Sequence, residues 1–508
     1  MKNKINIIGS GIGGLFTGAL LAKHGFLINV FEEKDKIGGY ASSWQKGGFT
    51  FEASLHSMNG FETDIERHKT FKFLNLFDKL KMLKISSAYT SLFENYQFRA
   101  PDNYEDFTNS LIKEFPEEEK QIKKVLLKIK KIALELTLIP TIKSKILFYL
   151  LLPIKFPNIL FNLNTTLFKL INKRFKNPKL ITIITQLYSY YSNDIKNLNL
   201  LYFSGPTYSF INGGYWISGT SAKLSNALKE IIEENGGKVL TNKKVIEIIF
   251  NEQNKAAGLR TSDGKEYYSD LVICNNSIKD VFENLVSNKK APLRLKNKAL
   301  NTISSTSVFT LYMGMNIDAK KIGLNDYSYF FNELDVDADI NMINNRLDYE
   351  KRPVTMVAYN LDDSLAPKGK SVIMACTLDS IEYWEKFSDD KEKYNAEKER
   401  VSGIILDRIE KEFPDFRKHI EILQIATPMT MRRYTGNPDG AIYGACQRVS
   451  QAHINRFPNY IKNLNLYFTG AWVTPGGGIS GVIVSATEIT SLILKKYKIK
   501  NQFQNIFS

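Results

Sequence analysis

Gly9-Ser10-Gly11-Ile12-Gly13-Gly14 has the spacing of a turn in which bare backbone lies against a phosphate. Gly9 permits the tight turn, Gly11 keeps a Cβ out of the way of a pyrophosphate, and Gly14 lets the following helix pack closely on the preceding strand. Glu32 follows about 20 residues on, where a carboxylate accepts from ribose hydroxyls. The same carboxylate repels a 2′-phosphate, so FAD or NAD suits the turn better than NADP. Gly38-Gly39 adds a second bare stretch for the diphosphate. Far along the chain, Pro475-Gly476-Gly477-Gly478 reads as the opposite wall of the same site.

Residues for proton or charge chemistry are fewer. His56 lies in the polar segment Ser54-Leu55-His56-Ser57-Met58-Asn59-Gly60 and is expected to exchange protons near neutral pH, although a lone histidine is also a common structural residue. Arg432, Arg433 and Tyr434 are candidates for anchoring a polar group or a cofactor edge, with a plain ion-pair role for Arg433 as the alternative. The three cysteines, Cys274, Cys376 and Cys446, are far apart and form no CxxC pair, so neither a disulfide framework nor a metal site is expected.

These residues need a scaffold, and the pattern supplies one. Ile5-Asn6-Ile7-Ile8 is an apolar run suited to a buried parallel strand, residues 15–25 carry apolar side chains at helical spacing, and residues 27–31 form a second strand ending at Glu32. Residues 220–234 read as an amphipathic helix burying Leu224, Ala227, Leu228, Ile231 and Ile232, stopped by Gly236-Gly237. Strands follow at 239–240, 245–250 and 271–274, with a hairpin turn at Ser262-Asp263-Gly264. Residues 65–200 read as mainly helical, interrupted by prolines, and β-rich runs recur at 307–313 and 354–359. At 508 residues the chain exceeds one ordinary core. The fold class expected is α/β, with a discontinuous Rossmann-like FAD-binding domain over 1–64, 205–290 and 440–508. A substrate-binding, membrane-associating domain of sheet plus helices would take 65–204 and 291–439.

The net charge of +15 is unevenly spread: residues 120–179 hold fourteen lysines and arginines against the single acid Glu135. Apolar runs at 146–154 and 156–168 lie in the same stretch, both shorter than the about 18 to 20 residues of a spanning helix. Basic residues beside short apolar helices suit the surface of an anionic bilayer. A solvated basic face is the bland alternative, and no motif of a nucleic-acid-binding fold accompanies the charge. Met1-Lys2-Asn3-Lys4 runs straight into the first strand, so the expectation is a cytoplasmic protein, peripheral on the inner face of a membrane.

Four motifs in order resemble the FAD-dependent oxidoreductase superfamily of amine oxidases, phytoene desaturases, carotenoid isomerases and retinol saturases. They are the first glycine turn with Glu32 and Gly38-Gly39; Gly47-Gly48-Phe49-Thr50-Phe51-Glu52; the segment Thr427-Pro428-Met429-Thr430-Met431-Arg432-Arg433-Tyr434 leading to Gly440 and Tyr443-Gly444; and Asn465-Leu466-Tyr467-Phe468-Thr469-Gly470-Ala471-Trp472 with the last glycine cluster. The third is similar to the desaturase and isomerase branch.

The resemblance implies that Gly9, Gly11, Gly13, Gly14 and Glu32 hold the ADP half of FAD, Gly38, Gly39 and Tyr40 the pyrophosphate, and Val245 the adenine side. It also implies that Gly470, Ala471, Gly478, Ile479, Ser480, Gly481 and Val482 face the flavin. Tyr40 stands where many relatives have arginine, and Ala471 where many have aspartate. The expected activity is desaturation or isomerisation of a long hydrophobic polyene or unsaturated acyl chain, by hydride exchange with flavin N5. His56, Arg433 and Tyr434 are the catalytic candidates. The alternatives are an amine oxidase, or a lipid-binding protein without catalysis such as the related GDP dissociation inhibitors.

Overall fold

A computed structural model describes residues 3–61, 65–139, 145–287, 290–332 and 349–503. Its centre is a six-stranded sheet in the order Lys238–Leu240, Leu27–Phe31, Lys4–Ile8, Leu271–Cys274, Leu466–Phe468, Tyr460–Ile461. All neighbours are parallel except the last pair. Lys4–Ile8 lies mid-sheet and is buried at four consecutive positions, so it shows no alternation; the one polar residue among them, Asn6, donates to Tyr267 O at 2.7 Å.

Helix Ile12–Lys23 is buried over eleven of its twelve residues, pressed between Ala222–Glu234 and Gly478–Lys496. It is apolar all round because no face of it meets water. Ala222–Glu234 buries the five apolar residues that its periodicity singled out. Val245–Phe250, Ala256–Thr261 and Glu266–Tyr268 form a separate antiparallel sheet. The chain is α/β.

A second sheet has seven strands in the order Ile420–Ala426, Ser307–Met315, Ser371–Asp379, Val354–Ala358, Ser328–Phe331, Tyr89–Phe93, Tyr96–Ala100. The last two correct the helical reading of residues 65–200. Tyr89–Phe93 is buried at all five positions, so it shows no alternation, and its partner Ser328–Phe331 is remote in sequence. Met82–Ile85 is a third strand in that stretch and pairs with Gly214–Ile217. Beyond these, helices Tyr104–Glu114, Glu119–Leu138 and Leu200–Ile211 enclose a core of their own. We propose the division into 1–64, 205–290 and 440–508 against 65–204 and 291–439, because the described strands of the parallel sheet fall in the first set and those of the seven-stranded sheet in the second.

Candidate functional site

Two helices start at glycines that supply no side-chain cap: Gly11 opens Ile12–Lys23 and Gly477 opens Gly478–Lys496. Uncapped N-termini leave free backbone N–H groups and a positive dipole end, a ready binding place for anionic atoms. Both line one cavity of about 3150 Å³.

Around the first turn the packing is close. A Cβ on Gly14 would sit 2.3 Å from the Gly9 carbonyl oxygen, so helix and strand meet only because that side chain is missing. Gly38 bridges to Gly11 with φ of 101°, and a Cβ there would come 2.2 Å from the Ala41 carbonyl oxygen. Glu32 accepts from the Ser10 amide at 3.0 Å and the Ser10 hydroxyl at 2.6 Å, which fixes the carboxylate at the cavity wall. Val245 lies on the same side.

The opposite wall comes from Ala471, Trp472 and residues 474–484. Its loop is tied by the buried Arg456. The Arg456 guanidinium donates to Val473 O at 2.7 Å, Ala471 O at 2.8 Å and Gln447 Oε1 at 2.9 Å. No local pattern pointed to Arg456, since all three partners belong to other segments.

The residues present fit a dinucleotide. A Cβ on Gly39 or Gly478 would meet nothing closer than 3.5 Å and would project into otherwise open space along the wall. Asn276 also lines the cavity, and its buried Oδ1 has no partner among the described residues.

Of the expected cofactor residues, Gly9, Gly11, Gly13, Glu32, Gly38, Gly39, Tyr40, Val245, Ala471, Gly478, Ile479, Ser480, Gly481 and Val482 line this one cavity. Gly14 and Gly470 do not line it: Gly14 lets the helix approach the Gly9 backbone, and Gly470 makes room for the Asn275 side chain. The Tyr40 hydroxyl donates to Ala441 O at 3.1 Å, and burial pushes its pKa up, so it stays a neutral donor.

His56 also faces the cavity, with Nδ1 2.8 Å from the Tyr190 hydroxyl and its carbonyl accepting from Tyr327. Burial lowers its pKa to about 4, which corrects the expectation of proton exchange near neutrality: the ring is neutral there. Its loop is anchored by buried Glu52, which accepts from the amides of Ser54, Leu55 and Ser221. Burial raises the Glu52 pKa. Tyr190, the partner of His56, comes from a segment with no recognisable motif.

Arg433 and Tyr434 end the helix Pro428–Thr435 and are exposed at the cavity rim, the guanidinium 4.9 Å from the Tyr434 ring centre. They are placed to meet something entering or leaving, not deep among buried groups. Among the described residues no cluster of His, Cys, Asp or Glu could hold a metal ion.

A parallel sheet whose first and last strands deliver two uncapped helix ends to one cavity defines a dinucleotide-binding protein. The model of the flavin containing amine oxidoreductase family matches residues 12–494, and the chain belongs to that family. Its cofactor is FAD. All-trans-retinol 13,14-reductase of Danio rerio is 25% identical over 96% of this chain and 86% of its own length. The 1-hydroxycarotenoid 3,4-desaturase of a Flavobacterium strain is 28% identical over 97% and 99%. Among solved structures, an oxidoreductase from Methanosarcina mazei superposes with a TM-score of 0.64 at 17% identity, covering 96% of this chain and 100% of that one.

Proposed function

We propose that this protein desaturates or isomerises a long polyene taken from a membrane surface. The observation that carries the reading is the cavity. At about 3150 Å³ it is several times the size of an ordinary small-molecule pocket, which reaches about 1,000 Å³. Past the glycine walls its lining turns aromatic and aliphatic, with Tyr190, Tyr191, Phe210, Tyr312 and Tyr443 among the residues. Space for an extended apolar molecule is therefore continuous with the flavin walls. The relatives named above, a retinol reductase and a carotenoid desaturase, support a polyene.

When bound, FAD supplies hydride exchange with an activated C–H bond. The chain does the rest. The N-terminus of Gly478–Lys496 favours negative charge at the adjoining edge, the aromatic walls orient the apolar substrate and exclude water, and His56 with Tyr190 presents a neutral hydrogen-bonding pair.

The membrane part of the proposal rests on the helix Glu119–Leu138. Lys120, Lys124, Leu127, Lys131, Leu134 and Leu138 recur every three or four residues, so they share one face, and all six are exposed. The leucine end of this face adjoins Ala133, Leu136, Thr137 and Ile139, which line the cavity. Leu150, Ile154 and Phe161, in the stretch that follows, are exposed as well. Gly478–Lys496 is the one helix among the described residues long and apolar enough to span a membrane, but its buried Ile483, Ala486, Ile489 and Ile493 pack in the protein core.

The test is to incubate flavin-loaded protein with polyenes in vesicles, with and without a reductant, and to record product mass. Loss of a hydrogen pair is expected for desaturation and an unchanged mass with a shifted retention time for isomerisation. No product from any polyene, with peroxide released from an amine instead, would overturn the proposal.

A further inference from the structure

The part of the cavity rim that holds Arg433 and Tyr434 is built from two helices, and its charge has one sign. On Lys391–Glu412 the cavity-lining residues are Lys391, Tyr394, Asn395 and Lys398, spaced three and four apart and so on one face. The Tyr394 hydroxyl lies 2.6 Å from Oγ1 of Thr427, the cap of Pro428–Thr435, which joins this face to the helix carrying Arg433.

Lys391, Lys398 and Arg433 therefore line the same stretch of wall, and among the described residues none of them forms an ion pair. The nearest acids in sequence are engaged elsewhere: Glu385 holds Arg432 at 2.6 Å, and Glu397 holds Arg400 at 2.6 Å. The acids that do line the cavity, Glu32, Glu33, Asp35, Asp280 and Glu488, all come from other elements. Burial and the Arg433 charge lower the Lys398 pKa, against the opposing pull of Glu399. Two like charges held near each other without a counter-charge repel, and an anion bound between them removes the repulsion.

An apolar floor leads inward from this group. Pro428–Thr435 starts one residue after strand Ile420–Ala426, which pairs with Ser307–Met315. Val308, Thr310 and Tyr312 alternate along one strand, Gln424 and Ala426 along the other, and all five line the cavity. Met431, buried on the helix of Arg433, lines it too. Just past that helix, Asn437 accepts from Trp472 Nε1 at 2.9 Å, so the rim is tied to the flavin wall.

We propose that Lys398 and Arg433, with Lys391 beside them, bind the anionic oxygens of a carboxylate or phosphate at one end of an otherwise apolar substrate. The inference rests on the polyene reading above and narrows it to polyenes with an acidic head group. Lys391 and Arg433 are exposed, which suits such a head: it keeps its contact with water at the opening while the chain lies along the floor. A hydroxyl or hydrocarbon end would leave the cations without a counter-charge, and an ammonium end would add to the repulsion.

The experiment measures binding of a conjugated polyene carboxylic acid, its methyl ester, the matched phosphate monoester and the matched primary amine to flavin-loaded protein, through perturbation of the flavin visible spectrum. Inorganic phosphate serves as the competing free anion. Wild type is expected to prefer the acid or the phosphate monoester over the methyl ester by about tenfold, the preference shrinking as salt rises. The tighter of the two anions identifies the head group. Lys398→Gln combined with Arg433→Gln should lose the preference, and Arg433→Lys alone should keep most of it. Equal flavin content across the variants checks the fold. A wild type without preference, a preference surviving the double substitution, tighter binding of the amine, or displacement by inorganic phosphate at equal concentration each overturns the proposal. Turnover is scored separately. If the anion preference depends on Lys398 and Arg433 but no polyene is converted, the polyene chemistry fails while the anion site stands.

Discussion

His56 shows how burial sets chemistry one residue at a time. Its ring faces the cavity but takes a proton only near pH 4, against 6.5 for a free histidine. Between those values the unfolded chain binds more protons than the folded one, so stability falls as pH drops from about 6.5 to about 4 and is fully present above that window. His453, lowered to about 4 by burial and by Arg456, adds to the same slope. Thermal denaturation followed by circular dichroism across this range should give a midpoint that falls on acidification, and His56→Gln should make the fall shallower without removing it. An equally steep fall in His56→Gln would show that the ring does not titrate in this way. The residue type and its polar setting were visible in the sequence. The neutral state was not, because it is imposed by Tyr190, Tyr327 and other side chains distant in the chain.

The turn and helix at Gly11 to Gly14 separate two roles that look alike in the glycine pattern. A Cβ at Gly14 would meet the Gly9 carbonyl, rigid backbone at 2.3 Å, whereas at Gly11 it would meet only the Asn275 side-chain amide at 2.9 Å. Gly14→Val should therefore destabilise the protein by about 3 kcal/mol or fail to fold, while Gly11→Val should fold and lose at least about tenfold in FAD affinity. Urea denaturation and flavin content after purification distinguish them; a flavin-retaining Gly11→Val would remove the turn from the cofactor site. Elements with a local period, such as Ala222–Glu234, were legible in full. Tyr89–Phe93 was not, since a strand buried on both sides carries no alternation and its parallel partner Ser328–Phe331 lies more than 200 residues away; Tyr96–Ala100 follows it as the outer strand of a hairpin. Arg456 escaped notice because its meaning lies in what surrounds it.

At the scale of the whole molecule, the surface that matters is the helix Glu119–Leu138, one face of which exposes both lysines and leucines. The striped helix carries lysines toward its start and leucines toward its end, beside a lined opening in the wall. Vesicles containing anionic lipid should sediment with the protein, and binding should weaken as salt rises, at about 1 kcal/mol for each lysine near the surface. Replacing Leu134 and Leu138 together by glutamate should cut vesicle binding by about tenfold or more, and should lower turnover of polyene in vesicles far more than turnover of detergent-dispersed polyene. Equal losses in both assays would place those leucines in the fold and not at a membrane.

The central sheet sets a clock on maturation. Lys4–Ile8 leaves the ribosome early and can pair with Leu27–Phe31 at once, but Leu271–Cys274 arrives mid-synthesis and Leu466–Phe468 close to the end. At about 5 to 20 residues per second, the wait between first and last strand is roughly half a minute to a minute and a half. Through that interval the first glycine turn has no opposite wall. Flavin loading must then be a late event in the life of each molecule, and any chain stopped short of Gly478 is born without a cofactor site.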